Sequence, residues 1–144
     1  MARVLTAILA LALAAPLAAA DRAVVLVVNA KGPVYQLDPI EIRKVYLGLP
    51  VLRGSHALHP IRNNSDEALS QIFLQDIVAL SQSAYDRRIL ALVLQQGRPR
   101  PLELKSREQV LAAVLADPTA VSFMWLHDAM RVSGLRVIRV RWKD

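Results

Sequence analysis

The sequence has 144 residues, with 18 Lys+Arg against 12 Asp+Glu, a formal net charge of +6 and no cysteine. That length suits one domain around one core. The missing cysteines exclude disulfides, thiolate catalysis and Cys-ligated metal.

The N-terminus reads as an export signal. Arg3 supplies a positive start, residues 4–13 are apolar and rich in Leu and Ala, Pro16 breaks the run, and Ala18-Ala19-Ala20 offers the small residues a signal peptidase needs. The expectation is a signal peptide over residues 1–20, cleaved to leave a single domain over 21–144 in the periplasm. The apolar run is short for a bilayer span, and charged residues interrupt every later one, so neither an integral membrane segment nor, without cysteine, a lipid anchor is expected. Loss of Arg3 lowers the positive surplus by only one charge. In an exported protein that surplus fits a small anion, an anionic membrane or wall surface, or solubility; nucleic acid is not an expected partner.

Residues 23–29, AVVLVVN, form a continuous apolar run and predict a buried strand. Residues 30–33 predict a turn. Asp38-Pro39-Ile40-Glu41 combines an N-cap, Pro at the first helical position and a Glu placed to return the cap, so a helix starts there. Ile42, Val45, Tyr46 and Leu49 share its inner face, and Gly48 stops it. Residues 58–62 predict a strand, and a helix follows from Ser65 with Leu69, Ile72 and Phe73 as its apolar stripe. Ser81 or Ser83 caps the next helix, whose inner face carries Tyr85, Ile89, Leu92 and Val93. A Gly/Pro/Arg loop at 96–101 leads to a short strand at 102–105. Ser106 and Gln109 make a capping box before a helix with Leu111, Val114 and Leu115 inward. Strands at 120–125 and 135–142 close the chain, with a helical turn at 127–130 between them. Strands interleaved with helices predict an α/β layer architecture.

Chemistry-bearing patterns are few. No G-x-S-x-G, S-x-x-K or P-loop pattern occurs, so no catalytic residue, no cofactor and no enzymatic activity is expected. His56 and His59 are spaced as a metal pair but lack a third ligand nearby, so no metal is expected. The segment Arg62-Asn63-Asn64-Ser65 joins a strand end to a helix start. It sets a guanidinium, two amides and a hydroxyl beside unpaired first-turn N–H groups, the equipment for holding an oxyanion. The same residues also satisfy a plain N-cap at Ser65 with a surface charge at Arg62, and Asp66 would repel an anion. Further basic groups are Arg98, Arg100, Lys105 and Arg107 around the 97–101 loop, and Arg136, Arg139 and Arg141 on the last strand, where edge charges discourage aggregation. Trp125 and Trp142 read as core or interface residues.

Taken in order, LDPIEIRKVYLG, LHPIRNNSDEALSQIF, DRRILALVLQQGRPRPLEL and SREQVLAAVLADPTAVSFM resemble the phosphate ABC transporter substrate-binding protein family, of the type 2 periplasmic-binding fold, and in particular its short single-lobe relatives. The resemblance covers about residues 24–142. It implies a single α/β lobe with a central mixed sheet flanked by helices; the candidate ligand-binding residues Arg62, Asn63, Asn64 and Ser65 are those read above from their own chemistry. The family's Ser-Gly-Thr phosphate turn is Ser65-Asp66-Glu67 here, and its Gly-x-Ile-Gly-Tyr strand is Ala120-Val121-Ser122-Phe123, so the carry-over rests on Arg62 and Ser65. What the resemblance implies is recognition of a small, phosphate-like anion in association with ABC-type transport. The alternative, favoured by Asp66, Glu67 and the missing Gly, is an interaction or sensory adaptor that docks on a membrane transporter or sensor protein.

Overall fold

The computed structural model describes residues 23–140. The predicted signal peptide, and Arg141 and Trp142 of the last predicted strand, lie outside them.

Strand β1 (Val24–Asn29) is the predicted apolar run, and its alternating side chains feed two cores. Leu26 and Val28 join Tyr46, Phe73 and Phe123 on one face of the sheet. Val25 and Val27 join Ile61, Val110, Val114 and Met124 on the other. Burial on both faces explains why this strand shows no polar alternation.

Helix α1 (Pro39–Tyr46) starts as its cap predicts: the Asp38 carboxylate accepts from the Glu41 N–H at 2.8 Å, and Glu41 accepts from the Asp38 N–H. It stops before Gly48, whose φ of +77° suits only glycine well. Leu49 therefore falls past the helix and is 39% exposed, not inward as its spacing suggested. A small hairpin, β2 (Leu52–Arg53) with β3 (His56–Ala57), is tied to α1 by the Arg53–Glu41 ion pair at 2.8 Å.

Strand β4 (His59–Asn63) lies one residue later than predicted. Helix α2 (Glu67–Ile72) continues as a π-helical turn over Phe73–Val78, burying Leu69, Phe73, Leu74, Ile77 and Val78. Ile72 of the predicted stripe stays half-buried. The turn ends at Ala79, in the left-handed region at φ +53°. Helix α3 (Gln82–Gln96) is capped by Ser81 and buries Tyr85 and Ile89. Strand β5 (Leu102–Leu104), helix α4 (Arg107–Ala116) and strand β6 (Ala120–Trp125) follow. The buried face of α4 is Val110 and Val114; Leu115, placed inward by spacing, is 42% exposed. After the helical turn α5 (Leu126–Ala129) comes strand β7 (Leu135–Ile138), and Arg139 and Val140 of the predicted strand lie past its end.

The sheet order is β5-β4-β6-β1-β7. β4 runs parallel to both β5 and β6, while β1 is antiparallel to β6 and β7. The predicted mixed sheet with flanking helices is therefore the observed one. An aromatic cluster fills the face beneath α1 and α3: Phe73 stacks on Phe123 at 5.5 Å and meets Tyr46 and Tyr85 edge-on, each at 5.2 Å.

Candidate functional site

The carboxyl ends of β4, β5 and β6 point the same way, because these three strands are parallel. Open α/β sheets bind ligands beyond such ends. Here β4 and β6 are paired at His59↔Ala120 and Pro60↔Val121, and then side chains take over the bridging. The Ile61 carbonyl accepts from Tyr46 Oη at 3.0 Å and Ser122 Oγ at 2.9 Å. Asn63 Nδ2 donates to the Phe123 carbonyl at 2.8 Å. The strands thus end beside one another, held by buried polar side chains.

Arg62 is the unusual residue of this end, only 3% exposed. Its guanidinium lies against the rings of Phe73, at 4.5 Å, and Tyr85, at 5.3 Å. Nη2 donates to Ser70 Oγ at 3.2 Å and Gln82 Oε1 at 2.9 Å. Nη1 lies 3.5 Å from Glu103 Oε2, and Nε has no hydrogen-bond partner. A buried cation with one loose carboxylate and an idle donor is costly unless something else pairs with it. The nearby Tyr85 hydroxyl is pushed up to about 12 by burial, against a lowering pull from Arg62.

The other predicted residues divide into two groups. Asn64 Nδ2 donates to Glu103 Oε1 at 2.8 Å, so Asn64 and Arg62 converge on one carboxylate. Asn63 is buried, bridges to β6, and accepts the Ser65 N–H at 3.1 Å. Ser65 does not cap the helix as predicted. The turn closed by Asn63 carries the chain one residue further, and Asp66 becomes the N-cap, its Oδ1 accepting from the Leu69 N–H at 2.8 Å. Asp66 Oδ2 also accepts from Trp125 Nε1 at 2.8 Å, so this acid is engaged twice. No hydrogen bond joins Ser65 to the guanidinium among the described residues.

Glu103, Ser70 and Gln82 escaped the sequence reading, because each meets Arg62 only through tertiary packing. The other singled-out groups have local roles. His59 pairs with Asp117 at 2.8 Å, and no cluster of metal-ligating side chains occurs among the described residues. Arg98 donates to the Gly48 carbonyl, Arg107 pairs with Asp128, and Arg136 donates to the carbonyls of Ala30, Gly32 and Val34. A cavity of about 600 Å³ near the start of β4 is lined by Leu49, Leu58, Leu92 and Leu102 with Arg98 and Arg100, and none of the four predicted residues reaches it.

No protein-family model and no curated protein matches the chain. Solved structures do match. One is an ABC-type phosphate transport receptor from Vibrio cholerae, with a TM-score of 0.58 and 13% identity over 84% of this chain and 47% of that one. A second is a phosphate ABC transporter substrate-binding protein with bound phosphate from Clostridium perfringens, at 0.61 and 11% over 81% and 44%. A third is PstS from Borrelia burgdorferi, at 0.58 and 15% over 83% and 47%. The chain has the fold of one lobe of these binding proteins. It spans about half the length of the solved proteins it matches. At such identities the likeness is one of fold. No helix among the described residues is long and apolar enough to cross a membrane.

Proposed function

We propose that this chain is a periplasmic, non-enzymatic binding lobe that recognises a small oxyanion of the phosphate type at the carboxyl end of β4, in association with ABC-type transport. The observation that carries this reading is Arg62: a buried guanidinium with an idle Nε and a single loose carboxylate, beside the Asn64 amide. Forked guanidinium donors suit planar or tetrahedral oxyanions. The fold shared with phosphate-transport binding proteins agrees with this chemistry. The Ser65 hydroxyl, which has no hydrogen-bond partner among the described residues, is a further donor at the same turn.

The test is calorimetric titration of the purified protein with inorganic phosphate and sulfate. Binding is expected, and Arg62→Ala is expected to weaken it by roughly 10- to 100-fold, the equivalent of a charge-assisted hydrogen bond worth about 1.5–3 kcal/mol. Arg62→Lys keeps the charge and the packing stem but loses the fork, so it weakens binding in a chain that still folds. Silence of the parent and of its Glu103 variants toward both anions overturns this reading. The engaged acids Asp66 and Glu103 then favour an adaptor that docks on a membrane transporter or sensor protein.

A further inference from the structure

Resting on that reading, we propose that Glu103 is a built-in occupant of the Arg62 anion site, a carboxylate gate that a ligand must displace. Strand register places it there. Arg62 and Glu103 are direct partners in the parallel β4–β5 ladder, so their side chains leave the same face of the sheet side by side. One carboxylate oxygen accepts from Asn64 Nδ2 at 2.8 Å and the other faces Arg62 Nη1 at 3.5 Å. The acceptor therefore spans two of the four residues that would hold a ligand.

Burial makes this arrangement a gate and not merely an ion pair. The Arg62 side chain is 3% exposed and that of Glu103 41%, so the carboxylate is the solvent-facing member of the pair. Aromatic rings, Ser70 and Gln82 fix the guanidinium from within. Nothing comparable fixes the Glu103 head, whose partners are Asn64 and the loose contact to Arg62. Its strand β5 is three residues long and stands at the sheet edge, paired only with β4. Glu103 belongs to neither core cluster, so an outward swing of its side chain breaks its contacts with Asn64 and Arg62 and leaves Nη1 without its carboxylate. An incoming oxyanion and the Glu103 carboxylate are like charges seeking the same donors, and they repel at close range. Anion affinity is then set by competition, and Glu103 holds it down.

The test is titration of the parent, Glu103→Ala and Glu103→Gln with inorganic phosphate, alongside thermal denaturation of each with and without phosphate. Glu103→Ala is expected to bind at least about tenfold more tightly than the parent, because one repelling charge is gone. It is also expected to melt at a lower temperature without phosphate, since the buried cation has lost its carboxylate, and to recover when phosphate is added. Glu103→Gln keeps the side-chain volume and the contact to Asn64, and its affinity falls between the two. A silent parent with a binding Glu103→Ala also supports the gate, as one held shut. A parent that binds phosphate while both variants bind equally or more weakly overturns the gate and leaves the anion site standing. Silence of all three overturns both.

Discussion

The Tyr46 hydroxyl lies 3.0 Å from the Ile61 carbonyl oxygen and 3.2 Å from that of Val121, so one fully buried phenol ties β4 to β6 where their backbone pairing gives out. Tyr46→Phe keeps the ring and its contacts with Phe73 and Phe123 but removes the side-chain donor to the Val121 carbonyl and one of two to the Ile61 carbonyl, which keeps Ser122 Oγ. The expected cost is about 1–3 kcal/mol in urea denaturation. The same burial predicts an alkaline limit. It pushes the Tyr46 hydroxyl well above the ordinary tyrosine value of 10.0, and Tyr85 up to about 12. An acid whose folded pKa is raised contributes stability that is fully present below the unfolded value and is lost as pH rises through the folded one. Stability should therefore hold to about pH 10 and decline above it. Tyr85→Phe should flatten part of that decline; an unchanged slope would contradict the assignment.

The identity of the α2 cap separates two neighbouring residues. Asp66→Ala removes the acceptor for the Leu69 N–H and for Trp125 Nε1, and should cost about 0.5–2 kcal/mol. Ser65→Ala should change stability by no more than roughly 0.5 kcal/mol, since that side chain caps nothing. Chemical denaturation of both variants decides the matter, and the reverse order would return the cap to Ser65.

Gly32 is required by space and not by backbone angle. A β-carbon there would lie 2.0 Å from the Pro118 carbonyl oxygen, a rigid backbone atom that must move to admit it. Gly32→Ala should destabilise the fold by roughly 1–3 kcal/mol, the usual range for overpacking. Gly54→Ala, at a position where an added β-carbon meets no atom within 4 Å, has no such clash and serves as the control for left-handed backbone strain alone. Equal melting temperatures for Gly32→Ala and the parent would refute the close approach.

Asp117 anchors the start of β6. Burial acts to raise its carboxyl, but hydrogen bonds from His59 and Thr119 outweigh this and leave it below the ordinary value of 3.8. A depressed acid contributes stability above its unfolded pKa, lost as pH falls through the folded one. His59→Ala should accordingly be less stable than the parent above about pH 4, with the difference closing as the pH drops below that. A gap that widens in acid would mean that His59 does not pair with Asp117.

Much of the fold is legible in the sequence because its signals are local. The capping box at Asp38, the cap at Ser106 and the apolar run of β1 each encode an element within a few residues, and all three elements stand at those positions. The departures occur where neighbours intervene. Asn63 bends the turn after β4 by accepting the Ser65 N–H, which moves the cap to Asp66. The π-helical turn after Ile72 rotates the apolar face away from a simple helical stripe. Leu49 keeps helical spacing but lies beyond a helix that has already stopped.

By itself, the sequence determined the α/β order, the buried central strand and the chemical interest of Arg62-Asn63-Asn64-Ser65, because periodicity, caps and residue chemistry act over short spans of chain. Only the tertiary structure decided that Arg62 is buried among Phe73, Tyr85, Ser70 and Gln82 and faces Glu103. Strand pairing between β4 and β5 sets that meeting across a long stretch of intervening chain, and a two-residue period fixes which face a side chain takes but not which strand will lie beside it.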